Sequence, residues 1–309
     1  MIELSIVIVN YNTANQTLAC LQSIVNQAMN VSYELIVVDN ASTDLSAILI
    51  KSKLPEIIWI QNPTNLGFGS AVNTGVAHAQ GAFVAVINSD VVVLGNALEH
   101  MLVRFRTDSE RVGMVNCSLV DDYGVHQKVI YHYNAAFKEV LSYNRMLVFL
   151  FKSWFQRIPS EIKALNGACL LVKRSLFLAV HGFDPDYFLY SEEFDLSRRI
   201  LAQGFGLTCY DDIKVFHENE GSSLDKSWNL RQRSASIAML FRKTHGVPGL
   251  LFYYWLIGFN WVSNGLFLAR MNQAERNDYR LSARVHLANL LVYFRILFRL
   301  KSTVPTKVK

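Results

Sequence analysis

The sequence Phe83-Val84-Ala85-Val86-Ile87-Asn88-Ser89-Asp90 joins an apolar run to a polar end. A short, uninterrupted run of mostly branched apolar residues predicts a β-strand buried on both faces, as in a parallel sheet covered by helices. The polar residues then follow at the carboxyl end of the strand, where open α/β sheets bind ligands. Asp90 is either a turn residue or an oxygen ligand for a divalent cation, and this stretch alone supports both interpretations.

The segments on either side alternate between strand-like and helix-like patterns. Apolar runs predict strands at residues 4–9, 34–38 and 57–60, and apolar residues at helical spacing predict helices at 17–27 and 70–79. Strands that alternate with helices indicate a doubly wound, mostly parallel α/β sheet. We therefore expect the polar ends of three strands, at residues 10–13, Asp39 and Asp90, to lie at one edge of the sheet.

Each polar end alone predicts only a turn or a helix cap, and it is their convergence that indicates a functional site. Gly67 and Gly69 are a weak signal for dinucleotide binding, and the first strand lacks a glycine-rich turn. This disfavours a nicotinamide or flavin enzyme. Residues 10–13 contain no Lys or Arg, which disfavours a nucleotidyltransferase, because that class needs a basic loop to hold phosphates.

The composition is that of a folded protein with an unevenly distributed charge. The chain has 309 residues, of which 51% are hydrophobic, and its net charge is +5. Length and composition allow one large α/β domain with additions or two smaller domains, and they exclude a disordered tail. Positive charge without any acid is concentrated after residue 279, at Arg280, Arg284, Arg295, Arg299, Lys301, Lys307 and Lys309. This pattern favours an anionic membrane surface over nucleic acid as a partner.

The cysteines and the N-terminus predict a cytoplasmic protein. Cys20, Cys117, Cys169 and Cys209 are widely spaced and form no metal-binding or redox motif, so we expect reduced thiols. Glu3 lies in the first residues and no basic stretch precedes the first apolar run, so we expect no signal peptide.

A second cluster of charges lies at residues 188–199. Glu192, Glu193 and Asp195 are followed by Arg198 and Arg199. If a helix begins here, acids in its first turn suit the helix dipole, and the cluster then has a structural explanation. Neighbouring acids also repel one another, which raises the pKa of at least one carboxyl and suits it to accept a proton.

The ordered motifs of residues 4–245 resemble the family 2 glycosyltransferases, and most closely their rhamnosyltransferase-like branch. The motifs are Val-Asn-Tyr-Asn (9–12), Val-Val-Asp-Asn-Ala-Ser-Thr-Asp (37–44), Asn-Leu-Gly-Phe-Gly-Ser-Ala-Val-Asn (65–73), Ile-Asn-Ser-Asp (87–90), Leu-Asn-Gly-Ala-Cys (165–169), Gly-Phe-Asp (182–184), Tyr-Ser-Glu-Glu-Phe-Asp-Leu (190–196) and His217. The resemblance implies an α/β fold of the GT-A type, which is a Rossmann-like, mostly parallel sheet flanked by helices.

The resemblance also implies a role for each matching position. Nucleotide-binding residues would be Asn10, Tyr11, Asn12, Asp39, Gly67, Asn73, Asn88 and Ser89. The Asn88-Ser89-Asp90 segment occupies the place of the family's DxD motif, so Asp90 and His217 would hold Mg²⁺ or Mn²⁺. Glu193 stands where the family has an aspartate as general base, with Glu192 as the alternative base. Acceptor-binding residues would be Asn166, Gly167, Asp195 and Arg198, the last two by orienting the acceptor loop and pairing locally.

The implied activity is inverting, metal-dependent sugar transfer. The donor would be a pyrimidine nucleotide sugar, either dTDP-rhamnose or a UDP-sugar, and the acceptor a hydroxyl of a lipid-linked glycan in surface polysaccharide synthesis. The alternative is a non-catalytic nucleotide-sugar binder or assembly protein that keeps the fold. We expect a catalytic domain over residues 1–245, with a donor half (1–115) and an acceptor half (116–245), and a helical, basic, membrane-associating region over 246–309.

The C-terminal region contains two apolar segments. Residues 247–269 lack any charged side chain, which would allow a membrane span, but polar residues and glycines favour a helix in the membrane interface or docked on the catalytic domain. A later stripe of Leu287, Leu290, Leu291, Phe294 and Leu297 is typical of an in-plane membrane helix, or alternatively of a terminal helix packed on the core. Residues 131–159 offer a third segment, either an acceptor-side insertion that touches membrane or part of the core. The predicted location is the cytoplasmic face of the cell membrane, with a homodimer as a possible assembly.

Overall fold

The computed structural model describes residues 2–131, 163–218, 226–265 and 273–298. The predicted insertion at 131–159 therefore lies, apart from its first residue, outside the described residues, as do 266–272 and 299–309. The chain divides into two compact units. The first comprises Met1–Tyr131, Ile162–Pro185 and Glu192–Leu224, and the second comprises His132–Glu161, Asp186–Ser191 and Asp225–Lys309.

The first unit is built on a large β-sheet. Its strands are β1 (Leu4–Asn10), β2 (Tyr33–Asp39), β3 (Ile58–Gln61), β4 (Phe83–Asn88), β5 (Val91–Val93), β6 (Val112–Val120), β9 (Cys169–Lys173) and β10 (Gly206–His217), and β7 (Ile130–Tyr131) pairs separately with β8 (Ala164–Leu165). The large sheet has eight strands in the order β3-β2-β1-β4-β9-β6-β10-β5. Neighbours in the β3-β2-β1-β4 part are all parallel, as the alternating pattern predicts.

The second half of the sheet mixes directions. β9 lies antiparallel between β4 and β6, β10 runs parallel to β6, and β5 is antiparallel to β10. The sequence did not predict β9, because its apolar run directly follows the Asn166-Gly167 motif and has no helix on either side that would indicate a βαβ unit. The sheet as a whole is nevertheless mostly parallel, as expected.

Helices cover both faces of the sheet. They are α1 (Ala14–Val25), α2 (Ser46–Lys53), α3 (Phe68–His78), α4 (Ala97–Thr107), α5 (Arg174–Ala179) and α6 (Glu192–Ala202). Side chains of β4 alternate between two cores: Ala85 and Ile87 join the core formed with α1 and α4, whereas Val84 and Val86 join the core formed with α3, α5 and α6. Because successive strand residues point to opposite faces, the apolar run of β4 is buried on both sides, as predicted.

Helix α3 approaches the sheet very closely at Gly75. A Cβ atom at this position would lie 2.5 Å from Val7 Cγ1 and 3.0 Å from Val38 Cγ2. The absence of a side chain therefore lets α3 pack directly on β1 and β2. This contact helps to hold the carboxyl ends of the two strands in place.

The second unit is helical in the described residues from Lys226 onward. It contains α7 (Lys226–Gly265), α8 (Gln273–Ala288) and α9 (Leu290–Leu297). Helix α7 is kinked at Gly246, where φ is 69°, and Pro248 follows. The predicted domain boundary at 245/246 falls at this kink, whereas the last segment of the second compact unit begins at Asp225. The division by function therefore stays a prediction. No described helix has both the length and the apolar character needed to cross a membrane.

We predict that Gly75→Ala destabilises the protein by about 1–3 kcal/mol, because the added methyl group overpacks the contact between α3 and the sheet. The measurement is urea unfolding of the full chain followed by circular dichroism. Gly258→Ala in α7 is the matched control: a Cβ there meets no atom within 4 Å, so it should be neutral or slightly stabilising. Equal stability of Gly75→Ala and the wild type would contradict the close approach.

Candidate active site

The carboxyl ends of β1 and β2 form the first part of the site. Their parallel register places Asn10 opposite Asp39. Asn10 Nδ2 donates hydrogen bonds to Asp39 Oδ1 at 2.6 Å and to Ser42 Oγ at 2.9 Å. Asp39 Oδ2 accepts from the Ser42 N–H at 3.0 Å and from Gln61 Nε2 at 2.6 Å. A carboxylate has about four acceptor positions, so roughly one is left for the predicted contact with a nucleotide base.

Asn12 joins the loops that follow β1 and β2. Its φ of 55° is in the left-handed region, which Asn tolerates better than most residues. Its N–H donates to Ser42 Oγ at 2.9 Å, and its Oδ1 accepts from the Thr43 N–H at 2.7 Å. Tyr11 lies between these tied positions and is 42% exposed. A partly exposed ring on a fixed loop suits the predicted role of Tyr11 in framing a base.

The glycine motif is tied to the end of β2. Asn40 Nδ2 donates to Asn65 Oδ1 at 2.8 Å and to the Gly67 carbonyl at 3.2 Å. Gly67 has φ of 83° and directly precedes α3. Asn73, further along α3, donates to the Phe183 carbonyl at 2.7 Å and accepts from its N–H at 2.8 Å. Asn73 therefore has a structural role, and its predicted nucleotide contact stays a prediction.

The end of β4 is linked to β1 and faces β10. Thr13 Oγ1 lies 3.1 Å from Asn10 Oδ1 and 3.3 Å from Ser89 Oγ, so the polar ends of the two strands are in contact. Asp90 Oδ1 lies 3.4 Å from His217 Nε2, and both residues are buried. The structure thus brings together Asn10, Asp39, Ser89 and Asp90 at one edge of the sheet, as predicted.

Gln127 determines which nitrogen of His217 carries a proton. Gln127 Nε2 donates to the His217 carbonyl at 2.7 Å, which leaves Gln127 Oε1 facing His217 Nδ1 at 2.8 Å. An amide oxygen only accepts, so Nδ1 carries the hydrogen. In the neutral ring, the lone pair of Nε2 then faces the Asp90 carboxylate. Two acceptors at this separation repel unless a proton or a cation lies between them.

A divalent cation fits this pair of donors. A carboxylate oxygen suits Mg²⁺ and Mn²⁺, and an imidazole nitrogen is accepted by Mn²⁺ more readily than by Mg²⁺. Neighbouring ligands in an octahedral shell lie about 3 Å apart. The contact between Gln127 and His217 is the kind that orients a ligating histidine. Within the described residues no group of three or more His, Cys, Asp or Glu side chains could hold a metal ion.

The predicted acceptor motif adjoins both the end of β4 and the acid cluster. The Ala168 carbonyl accepts from the Asn88 N–H at 2.9 Å, and Asn166 Oδ1 accepts from the Ala168 N–H at 2.9 Å. A Cβ built on Gly167 would lie 3.4 Å from Glu193 Cβ. The structure therefore places Glu193 beside Gly167, and the next residue in the chain, Ala168, is hydrogen-bonded to Asn88.

Glu192 and Glu193 begin α6 but differ in environment. Glu192 is 5% exposed, and its Oε2 is buried without a hydrogen-bond partner. Burial, and secondly the charge of Glu193, raise the pKa of the Glu192 carboxyl well above its ordinary value. Glu193 is half-buried and therefore reachable by solvent. The geometry thus favours Glu193 over Glu192 as a base for an incoming substrate.

Asp195 is fully buried and paired within its own helix. It accepts from Arg198 Nη2 at 2.9 Å and from Arg199 Nε at 2.7 Å, and its side chain is 1% exposed. A buried carboxylate with two charged partners positions α6, and it has no free surface for direct contact with an acceptor in this structure. The expected local pairing with Arg198 is present, and a part of either residue in acceptor binding stays a prediction.

Sequence reasoning missed the residues that support these side chains. Gln61 and Ser42 hold Asp39, and Gln127 orients His217. Ser42 lies in the motif at residues 37–44, so a role for Ser42 in the site could have been proposed from the sequence. Gln61 and Gln127 carry no local signal, because each becomes relevant only through a partner distant in the chain.

Comparison with known proteins identifies the family. The family model described as glycosyl transferase family 2 matches residues 5–180, which is more than half of the chain. The N-acetylglucosaminyl-diphospho-decaprenol L-rhamnosyltransferase of Mycobacterium tuberculosis is 30% identical over 129 residues, 41% of this chain and 40% of that protein. The succinoglycan biosynthesis protein ExoO of Rhizobium meliloti is 29% identical over 119 residues, 38% of this chain and 34% of that protein. The matches thus span less than half the length of these relatives.

A solved structure resembles the chain over almost its whole length. The mannosyltransferase PcManGT from Pyrobaculum calidifontis, in complex with GDP-Man and Mn²⁺, has a TM-score of 0.59 and 16% identity, and the match covers 96% of this chain and 87% of that one. At this identity the likeness shows the fold alone, and it confirms the predicted GT-A fold. The matching family model, together with the motifs that meet at one edge of the sheet, shows that the chain belongs to glycosyl transferase family 2.

Proposed function

We propose that this protein is an inverting, metal-dependent glycosyltransferase that moves a sugar from a pyrimidine nucleotide donor to a hydroxyl of a lipid-linked glycan. The observation that supports this best is the position of Glu193: half-buried, beside Gly167, and joined through Ala168 to Asn88 at the end of β4. A reachable carboxylate next to a predicted nucleotide site is the arrangement that direct transfer to a hydroxyl requires.

The reaction is a single displacement. The acceptor hydroxyl gives its proton to the Glu193 carboxylate while its oxygen forms a bond to the anomeric carbon. The bond from that carbon to the diphosphate oxygen breaks at the same time, and the nucleoside diphosphate leaves with the electron pair. Attack from the face opposite the leaving group inverts the configuration of the sugar, and no covalent enzyme intermediate is needed.

Asp90 and His217 would hold the Mg²⁺ or Mn²⁺. When bound, the ion would supply positive charge that stabilises the departing diphosphate. Asp39, fixed by Asn10, Ser42 and Gln61, would position the base, and Tyr11 would frame it. Burial raises the pKa of Glu192 and so favours its neutral form, which limits the negative charge next to Glu193, the proposed base.

The proposed donor and acceptor rest on analogy with the relatives of this protein. One relative is a rhamnosyltransferase named for a diphospho-decaprenol acceptor, and another a succinoglycan biosynthesis protein. These names support rhamnose as the transferred sugar and a lipid-linked glycan of a surface polysaccharide as the acceptor. The proposed nucleotide, dTDP or UDP, rests on the family resemblance of the motifs. A solved structure of the same fold contains GDP-Man, whose base is a purine. The preference of this protein for a nucleotide base is therefore to be measured. The same proposal includes the location of the protein, which would be the cytoplasmic face of the membrane, contacted through residues 246–309.

We predict that Glu193→Gln lowers the rate of sugar transfer by about a hundred- to ten-thousand-fold, because the amide cannot accept the proton. Transfer is measured with radiolabelled donor, and nucleotide affinity by calorimetry should be unchanged. Glu56→Gln, at an exposed glutamate, is the control. Unchanged transfer by Glu193→Gln would rule out this base, and no transfer by the wild type with intact nucleotide binding would favour the non-catalytic binder.

We predict that Asp90→Asn removes the metal-dependent part of nucleotide affinity. Calorimetric titrations with dTDP, UDP and GDP, each with Mn²⁺ and again with EDTA, should show about tenfold or greater tightening by metal for one pyrimidine nucleotide. The variant should lose this difference, and Asp278→Asn, at an exposed position, should keep it. Metal-independent binding by the wild type would count against the proposed ion site.

We predict that the unfolding free energy of Glu192→Gln, relative to wild type, increases with pH over a window that begins at the usual glutamate pKa of about 4.3. The pKa of Glu192 is raised in the folded protein. Above the usual glutamate pKa, the unfolded chain has lost a proton that the folded chain keeps, so wild-type stability falls as pH rises through this window. The Gln side chain of the variant does not titrate, so the stability of the variant lacks this dependence on pH. Urea unfolding at several pH values tests the prediction, with Glu56→Gln as the control; parallel curves would contradict it.

A further inference from the structure

The second unit contains a cavity that the proposed reaction does not use. It lies between α7 and the α8–α9 segment and has a volume of about 340 Å³. This is at the lower end of the range for small-molecule sites. Its wall includes Gly258 and Trp261 from α7, His286 from α8, and Leu290, Tyr293 and Phe294 from α9.

Most polar groups of this wall are occupied by one another, whereas Trp261 Nε1 is buried without a hydrogen-bond partner. His286 Nδ1 lies 2.6 Å from Tyr293 Oη, and Tyr254 Oη donates to the Tyr293 carbonyl at 2.8 Å. Burial lowers the pKa of His286 to about 4, so its ring is neutral near neutral pH. A wall of this kind offers little to a sugar or a nucleotide, because their hydroxyl and phosphate groups would lose water without gaining partners. It suits a hydrocarbon.

The helices that line the cavity also carry exposed apolar residues. On α7, Val247, Leu251, Trp255 and Val262 recur at helical spacing and are 38–70% exposed. At the end of α8 and along α9, the residues Leu287, Leu290, Leu291, Phe294 and Phe298 are 56–75% exposed. Leu290 and Phe294 also line the cavity. A contiguous apolar surface of this kind marks a site of interaction with an apolar partner.

The charge beside this surface is positive. Arg284 and Arg295 are exposed on α8 and α9, and the sequence has no acid from residue 279 to its end. Apolar faces next to exposed arginines suit an amphiphile with an anionic headgroup, because the chain enters the apolar region while the phosphate pairs with the arginines.

We propose that this cavity binds the isoprenyl chain of a polyprenyl phosphate carrier, which would be the lipid part of the lipid-linked acceptor. The choice of carrier lipid over membrane phospholipid rests on the proposed function. The site explains why the cavity, its apolar rim and the arginines occur together. It also assigns a role to the apolar stripe of α9 beyond general contact with a membrane.

The test is photolabelling of the full-length protein with farnesyl phosphate that carries a diazirine on its terminal isoprene unit, below its aggregation concentration. Mass spectrometry of the peptides locates the label. We expect labelling within 254–261 and 286–297, competed by unlabelled farnesyl phosphate. Gly258→Trp should weaken binding by about tenfold or more, because the ring takes the place of chain contacts. The fold should tolerate the change, since a Cβ at Gly258 meets no atom within 4 Å.

Val262→Trp is the matched control, one turn further along α7, 70% exposed and outside the cavity wall. It should bind as the wild type does. Leu290→Trp narrows the cavity from the other side, and Leu291→Trp, at the next position and 75% exposed, is its control. This second pair keeps the test valid if Gly258→Trp does not fold.

Equal losses in a cavity variant and its control, or label spread over the exposed faces, would overturn the site and leave only surface adsorption. Equal competition by lysophosphatidylglycerol would overturn the choice of carrier lipid and indicate a phospholipid. The assay needs neither donor nor turnover. An unlabelled protein that still transfers sugar would therefore refute this site alone, whereas a labelled protein without transfer activity would refute the proposed reaction alone.

Discussion

The parallel hydrogen bonding of β1 with β2 and β4 is the constraint on which the site depends. It aligns Asn10 with Asp39, and Val9 with Asn88, so that three apolar runs end at the same level of the sheet. A slip of one residue would reverse the faces to which the side chains point. The approach of α3 at Gly75 fixes β1 and β2 from one side, and so the loops that carry the polar groups start from fixed positions.

The buried polar groups of the site differ in how far hydrogen bonds and ion pairs compensate for their loss of water. Asp39 accepts three hydrogen bonds from the protein, which leaves about one acceptor position, and Asp195 is paired with two arginines. Glu192 Oε2 lacks a hydrogen-bond partner, and the Asp90 and His217 acceptors face each other. Uncompensated groups cost folding free energy, and they are the positions where function is expected.

Much of the first unit could be predicted from the sequence. The alternation of strands and helices, the double burial of β4 and the start of α6 at Glu192 all follow from local periodicity or charge, and the structure differs from the predicted limits by a few residues. The strand β9 could not be predicted in this way. Its place between β4 and β6 depends on pairing with segments far away in the chain, which periodicity does not report.

The sequence by itself determined which residues are candidates for function: the polar ends of three apolar runs, the acid pair that begins α6, and a basic C-terminal region with apolar stripes. Only the tertiary structure decided how these residues are supported. Gln127 orients His217 from 90 positions away, Gly167 lies against Glu193, and α7 closes a cavity with α9. The physical reason is that side-chain periodicity is a local property, whereas hydrogen-bond partners, burial and cavities arise when distant segments pack together.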